Sequence, residues 1–277
     1  MINKLIKRDG TEVPFEADKL NKWCEWACEG LYGISWSDIV TKAIKSGYEG
    51  MRTEQLQRCL IDACISMVHL NTDYEKVAAR LYLADLRKRV FGDYQPTVFH
   101  KFYQDMVAKG LWEDMGYDAF QLSIISEKID HSRDNKFPYS GLRQMGDKYL
   151  MRNKITGELY ETPQFLYMGL AMASMRGEPM IDVLDFYDRL SMHKVNVPTP
   201  PLIGCRTPDK GFASCCLISG GDDADSIEAA GHVVYQMVKN RSGIGIELET
   251  RGPNEPVKNG LVQHNGKINY YRMIDAL

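Results

Sequence analysis

Between Ser214 and Ile227 the sequence passes from strand to turn to helix in one short stretch. Cys215-Cys216-Leu217-Ile218 is an apolar run of the kind that forms a buried strand, Gly220-Gly221-Asp222-Asp223 breaks it, and a helical pattern begins at Asp225-Ser226-Ile227. A strand that ends on glycines holds its side chains rigidly and leaves backbone N–H groups near a helix start free for an anion. Successive strand residues point to opposite faces, so at most one of Cys215 and Cys216 faces a site, and the two are poorly placed to bond to each other. The pair is either two small core residues or one reactive thiol beside one packing residue.

The 277 residues are enough for one large or two modest cores. A net charge of -3 argues against a general nucleic-acid binder, because no basic surplus neutralises a run of phosphates. No apolar run reaches the roughly 18 residues of a membrane span, and the N-terminus lacks the apolar core of a signal peptide, so a cytoplasmic protein without membrane contact is expected. The seven cysteines include no CxxC pair, which points to buried thiols and no metal site.

Residues 1–92 read as one unit. Lys4 to Arg8, Asp9-Gly10 and Thr11 to Phe15 predict a hairpin. Asp18 is expected to cap a helix carrying Leu20, Trp23, Cys24, Ala27 and Leu31, Ser35 or Ser37 to cap the next, and Thr53 a third with Leu56, Cys59, Leu60, Ala63 and Cys64. A fourth runs from Asp73 to Arg87-Lys88-Arg89. The cysteines fall on apolar faces and are expected to pack as small hydrophobes. If Arg87-Lys88-Arg89 lies near Lys7-Arg8, five cations surround one pocket suited to a polyphosphate.

Residues 93–197 predict a helical layer. Pro96 interrupts the pattern before Phe99, Phe102 and Tyr103, His131 is expected in a structural loop or cap, and Thr156-Gly157 in a hairpin turn between short strands. Thr162-Pro163 is a helix start, cap then proline, and a further helix runs from about Ile181 to His193. From 198 onward Pro198-Thr199-Pro200-Pro201 is expected to be extended and Leu202-Ile203 to begin a strand, with Thr199 either a turn residue or a ligand contact at that strand's end.

Lys7-Arg8-Asp9-Gly10, Asp18-Lys19-Leu20, Thr53, Ala78-Ala79-Arg80-Leu81 and Lys88 together resemble the ATP-cone, a regulatory nucleotide-binding domain. The resemblance implies that Lys7, the stretch Val13, Pro14, Phe15, Glu16, Ala17, Asp18 and Lys19, and Thr53 and Lys88 hold ATP or a deoxynucleoside triphosphate as allosteric effector. Val13 and Gln57 stand where forms inhibited by dATP are expected to carry Glu and His, so inhibition by this domain is not expected to accompany binding.

Pro198-Thr199-Pro200, Arg206-Thr207-Pro208, Ser214-Cys215, Gly221-Asp222-Asp223, Asp225-Ser226-Ile227 and Arg241-Ser242-Gly243-Ile244-Gly245-Ile246 resemble the large subunit of class I ribonucleoside-diphosphate reductase. This resemblance covers essentially the whole chain. It implies an α+β to α/β fold class: a mostly helical cone (1–92) and helical domain (93–197), then the first strands and helices of a ten-stranded α/β barrel (198–277). Cys215 would be one of two redox-active thiols, with Thr199, Ser214, Cys215 and Gly243 on the substrate. Asp222, Asp223, Ala224, Arg251 and Lys258 would form the specificity-effector site, with Cys216 packing on the strand's other face.

The family's large subunit is much longer, and its second half supplies the radical-forming cysteine and the partner of the redox pair. This chain alone is therefore expected not to turn over. Either a second chain, the C-terminal half of a naturally split subunit of phage type, completes it, or it is a truncated, inactive fragment. Further partners implied are a small beta subunit bearing a di-iron or similar radical cofactor, thioredoxin or glutaredoxin as reductant, and a second copy of the assembled large subunit. A nucleotide-sensing binding module built on the cone is the rival function, though a cone-bearing transcriptional regulator would want paired CxxC motifs, absent here.

Overall fold

The computed structural model describes residues 2–209, 211–240 and 242–276; Lys210, and Arg241 of a stretch singled out above, lie outside the described residues. The described residues fall into two compact units that divide between Val195 and Asn196.

The first unit opens with the antiparallel hairpin β1 (Lys4–Ile6) and β2 (Glu12–Pro14), in register Leu5 to Val13. Its turn closes through Gly10, whose φ of 87° is accessible to glycine at little cost. Four helices come next: α1 (Ala17–Cys28), α2 (Trp36–Lys45), α3 (Thr53–Ile65) and α4 (Asp73–Phe91). Each buries one face in a single core that includes Leu20, Cys24, Ile39, Ala43, Leu56, Leu60, Cys64, Val77 and Leu81. Desolvation in that core pushes the Cys24 thiol up to about 12, Cys28 up to about 11 and Cys64 further still, so these thiols are protonated packing groups.

Two caps differ from expectation by a residue or two. Glu16 precedes α1, which puts Asp18 in its first turn, where a carboxylate complements the positive end of the dipole without capping it. Arg52 precedes α3, so Thr53 is its first helical residue. Ser35 does cap α2, accepting the N–H of Asp38.

The same unit continues through α5 (Phe99–Ala108), α6 (Ala119–Lys128), a 3-10 turn (His131–Lys136), α7 (Tyr139–Gln144), a π-helical turn (Met145–Tyr149), α8 (Pro163–Ser174) and α9 (Met180–Ser191). Helix α8 is buried almost all round, and aromatic rings of Phe99, Phe102, Trp112 and Phe165 pack edge-on or tilted about it. Pro163 opens α8 after Thr162, but the Thr162 hydroxyl makes no cap bond and is buried without a partner. Around Gly157 the turn forms, joined by a single Arg152–Leu159 bridge and not by two strands.

The second unit begins with α10 (Thr199–Gly204). The expected strand at Leu202-Ile203 is thus a helical turn. Prolines at 200 and 201 sit where a helix needs no N–H donors, and their fixed φ suits its first turn. Arg206, fully buried, donates to the carbonyls of Leu202 and Ile203 at the C-terminal end of that turn. Strands β3 (Cys215–Gly220) and β4 (Gly243–Leu248) pair in parallel through the crossover helix α11 (Ala224–Lys239). A hairpin of β5 (Pro253–Val257) and β6 (Val262–Asn265) and the helix α12 (Ile268–Asp275) complete it.

Expected as buried, β3 is covered on one face only. Ile218, Ile244 and Ile246 pack with Ala230, Val234, Leu248 and Ile274, while Leu217 is 93% exposed on the opposite face. An apolar run does not by itself distinguish a strand covered on both faces from one covered on a single face.

Candidate functional site

The hairpin and helices α1, α3 and α4 enclose a cavity of about 690 Å³. Lys7, Arg8, Lys19 and Lys88 bring four cations to it, and Asp9, Glu16, Glu54 and Asp85 bring four carboxylates. Leu5, Val13, Phe15, Leu20, Trp23, Leu56 and Tyr94 supply apolar wall. Of the residues expected at an effector site, Lys7, Val13, Pro14, Phe15, Glu16, Lys19, Thr53 and Lys88 line this cavity. Ala17 and Asp18 sit in the first turn of α1 and are not among its walls.

The five-cation cluster forms only in part. Helix periodicity turns Arg87 and Arg89 away from Lys88: Arg87 reaches the carbonyl of His131 at 2.9 Å and Asp134 at 3.4 Å, and Arg89 pairs with Asp85 at 3.0 Å. Arg8 is bound to the other oxygen of Asp85 at 2.5 Å, and the Lys88 ammonium lies 5.1 Å from the centre of the Tyr94 ring. Gln57 is held at both ends, accepting from Trp23 Nε1 and donating to the Leu81 carbonyl, each at 2.9 Å.

Of the other walls, Trp23, Asp85 and Tyr94 were not expected, Arg8 was expected only as a pocket cation and Gln57 only in the place of a regulatory His. For three of them the signal was present. Trp23 lies four residues after Lys19, Gln57 four after Thr53, and Asp85 three before Lys88, so each shares a helix face with an expected residue.

In the second unit, Cys215 stands opposite Gly243 in the β3–β4 register. The N–H of Gly243 donates to the Ser214 carbonyl at 2.9 Å, and the Cys215 Sγ lies 3.9 Å from the Ser214 hydroxyl. A Cβ on Gly243 would sit 3.7 Å from that sulfur, so the glycine leaves the space beside the thiol open. Cys215 is exposed and Cys216 half-buried on the α11 side. Ser214, Cys215 and Gly243 are therefore brought together, while Thr199 opens α10.

At the glycine turn the groups are already engaged. Asp223 caps α11 through the Ser226 N–H, and the Gly221 N–H donates to Ser226 Oγ at 2.6 Å. Asp222 accepts from both the backbone and the guanidinium of Arg251, at 2.9 and 2.5 Å, which holds its carboxyl below the usual range. Of the expected N–H cradle, the Gly221 and Ser226 groups are thus engaged within the chain, Arg251 is paired with Asp222, and a carboxylate stands at the cap. Ala224 begins α11, and Lys258 sits in the β5–β6 turn with a φ of 49°.

Residues 3–89 match the ATP cone domain, residues 135–210 the all-alpha domain of ribonucleotide reductase and residues 213–277 its barrel domain. The chain is homologous to the N-terminal region of the ribonucleotide reductase alpha subunit. It is 34% identical over 277 residues to ribonucleoside-diphosphate reductase 1 subunit alpha of Escherichia coli, covering 97% of this chain and 36% of that protein. The ribonucleoside-diphosphate reductase alpha subunit of Enterobacteria phage T4 is 35% identical over 276 residues, with the same coverage of 97% and 36%. The corresponding Haemophilus influenzae subunit is 34% identical, over 97% of this chain and 37% of its own length. The chain thus spans a little over a third of these relatives. Among the described residues no helix is long and apolar enough to cross a membrane.

Proposed function

We propose that this chain supplies the effector-binding cone, the helical layer and the substrate-facing first part of the barrel of a ribonucleoside-diphosphate reductase. The observation that carries the proposal is the β3–β4 register, which sets an exposed Cys215 thiol beside Ser214 and opposite a residue without a side chain. Reduction of a ribonucleoside diphosphate to the deoxy form removes the 2′-hydroxyl as water. After a radical start at the neighbouring carbon, two electrons come from two thiols that close to a disulfide. Cys215 is one of those thiols, and a rigid strand holds it within reach of a bound ribose. Thr199, Ser214 and Gly243 contact the nucleotide.

The second thiol and the radical-forming cysteine belong to the remaining length of the subunit. A small radical-generating subunit, thioredoxin or glutaredoxin, and a second copy of the assembled large subunit complete the system. The cone cavity takes ATP or a deoxynucleoside triphosphate, its four cations offering charge-assisted bonds to the phosphates. With Gln57 committed to Trp23 and Leu81 and Val13 apolar, binding there proceeds without inhibition by dATP. At the specificity site, an effector phosphate takes Arg251 in exchange for Asp222.

The test mixes this chain with a polypeptide carrying the missing cysteines and with the small subunit, and measures thioredoxin-dependent formation of dCDP from CDP. Turnover is expected from the mixture and not from any component alone. No turnover, with intact nucleotide binding by this chain, would sink the reductase reading.

A further inference from the structure

Asp85 is a shared counter-ion. Both of its oxygens are engaged, one by Arg8 at 2.5 Å from the hairpin and one by Arg89 at 3.0 Å on its own helix, and its side chain is only 12% exposed. Arg8 and Asp85 face the cone cavity, but Arg89 does not. The Arg89 guanidinium lies 5.8 Å from the centre of the Tyr82 ring. Tyr82 meets Tyr139 of α7 edge-on, with ring centres 5.7 Å apart. The Tyr82 hydroxyl also fills the space at Gly146, inside the π-helical turn, where an added Cβ would collide with it. Arg143 then ties Tyr139 to Asp147 of that turn, at 3.2 and 3.4 Å.

We propose that Arg8, Asp85, Arg89 and Tyr82 form a relay that links polyphosphate occupancy of the cone cavity to the packing of residues 139–149 against α4. The idea rests on the cone reading given above. A polyphosphate competes with Asp85 for Arg8, because a charge-assisted bond to phosphate is available to the guanidinium only when it turns into the cavity. Asp85 is then left to Arg89 alone, and Arg89 is drawn from the Tyr82 face toward the carboxylate. The ring loses its cation, and its contacts with Tyr139 and Gly146 weaken. The ligand thereby has different affinities for two arrangements of one contiguous set of side chains, which is what coupling between sites requires. A π-helical turn at the far end fits such a role, since it is a strained insertion that small shifts can redistribute.

Hydrogen exchange of the 277-residue chain over residues 139–149 tests the relay in three arms. In the unliganded chain, Arg8→Gln, which leaves Asp85 to Arg89 alone, is expected to speed exchange there at least threefold, whatever the cone binds. ATP, with inorganic tripolyphosphate as the base-free probe, is expected to do the same to the wild-type chain. Arg89→Gln is expected to bind ATP within twofold of wild type and to show no ATP-dependent change over 139–149. If Arg8→Gln leaves the segment untouched, or if ATP binds to the wild type without altering exchange there, the relay is overturned. If Arg8→Gln acts but neither ATP nor tripolyphosphate binds to the wild type, the relay stands and the cone reading falls.

Discussion

Cys215 and Cys216 differ in exposure because β3 is covered on one face, and that difference predicts different fates on substitution. In the reconstituted assay, Cys215→Ser is expected to remove thioredoxin-dependent turnover by at least a thousandfold, while Cys216→Ser retains at least a third; equal losses would reverse the face assignment. A second pair of residues predicts a pH signature. Burial pushes the His131 imidazole down to about 4 from 6.5, with Arg87 adding to the effect. Burial pushes the Asp134 carboxyl up to about 6 from 3.8, against the opposing pull of Gln164 and Arg87. Between these limits the unfolded chain binds more protons than the folded one at His131, so that residue's contribution to stability rises with pH from about 4 to 6.5. At Asp134 the folded state holds the extra proton, and its contribution falls as pH rises from 3.8 to about 6. The two nearly cancel in the wild type. Relative to wild type, His131→Gln should therefore lose stability as pH rises across this window, and Asp134→Asn should gain it. Each difference is on the order of 3 kcal/mol at most. Urea titrations at pH 4.5 and 6.5 read the opposite slopes directly, and parallel slopes would refute the assignment.

At the scale of elements, α8 is the tightest place in the helical layer. An added Cβ at Gly169 would collide with three atoms of the buried Trp112 ring. Gly169→Ala gains helix propensity, worth about 1 kcal/mol, but overpacks a rigid ring, which costs about 1–3 kcal/mol. A net loss of stability is expected, reversed in sign by Trp112→Leu in the same chain, and a double-mutant cycle in urea measures it. The same elements show what the sequence made legible. The helices that carry the cone were readable because Leu20, Cys24 and Ala27, or Leu56, Leu60 and Ala63, recur at spacings only a helix aligns. Thr199 to Gly204 was misread because proline marks both an extended segment and a helix start. Which one forms is decided by residues further along the chain, here the buried Arg206 that ties off the carbonyls of Leu202 and Ile203. Asp222 and Arg251 were placed together only by the resemblance, as members of one effector site, and their direct pairing was not legible. It joins a turn to a segment 29 residues away, and no local pattern announces such a contact.

For the molecule as a whole, every wall of the cone cavity lies between Leu5 and Tyr94, yet the helix that carries Asp85 and Lys88 also packs on residues well beyond it. Phe91 of α4 meets Phe165 of α8 with ring centres 5.5 Å apart, and Arg87 reaches Asp134. Cutting the chain just after the last cavity wall would uncover that face of α4 and leave Arg87 without its partner. A fragment of residues 1–195 keeps the entire compact unit. It is expected to bind ATP within twofold of the full chain, by isothermal titration calorimetry. At a ligand concentration about a hundred times Kd, it should gain about 2.7 kcal/mol against urea. Residues 1–95 alone should bind at least tenfold more weakly and melt at a lower temperature. Lys88→Ala in the longer fragment should remove most of the ATP-dependent stabilisation while leaving the unliganded melt nearly unchanged, because the lysine's ammonium meets the Tyr94 ring and the exposed Asp93 carboxylate at the cavity edge and not the core. Equal affinity in the two fragments would mean that the cone folds its site without the helical layer, and the link between cavity and layer would have to be sought elsewhere than α4.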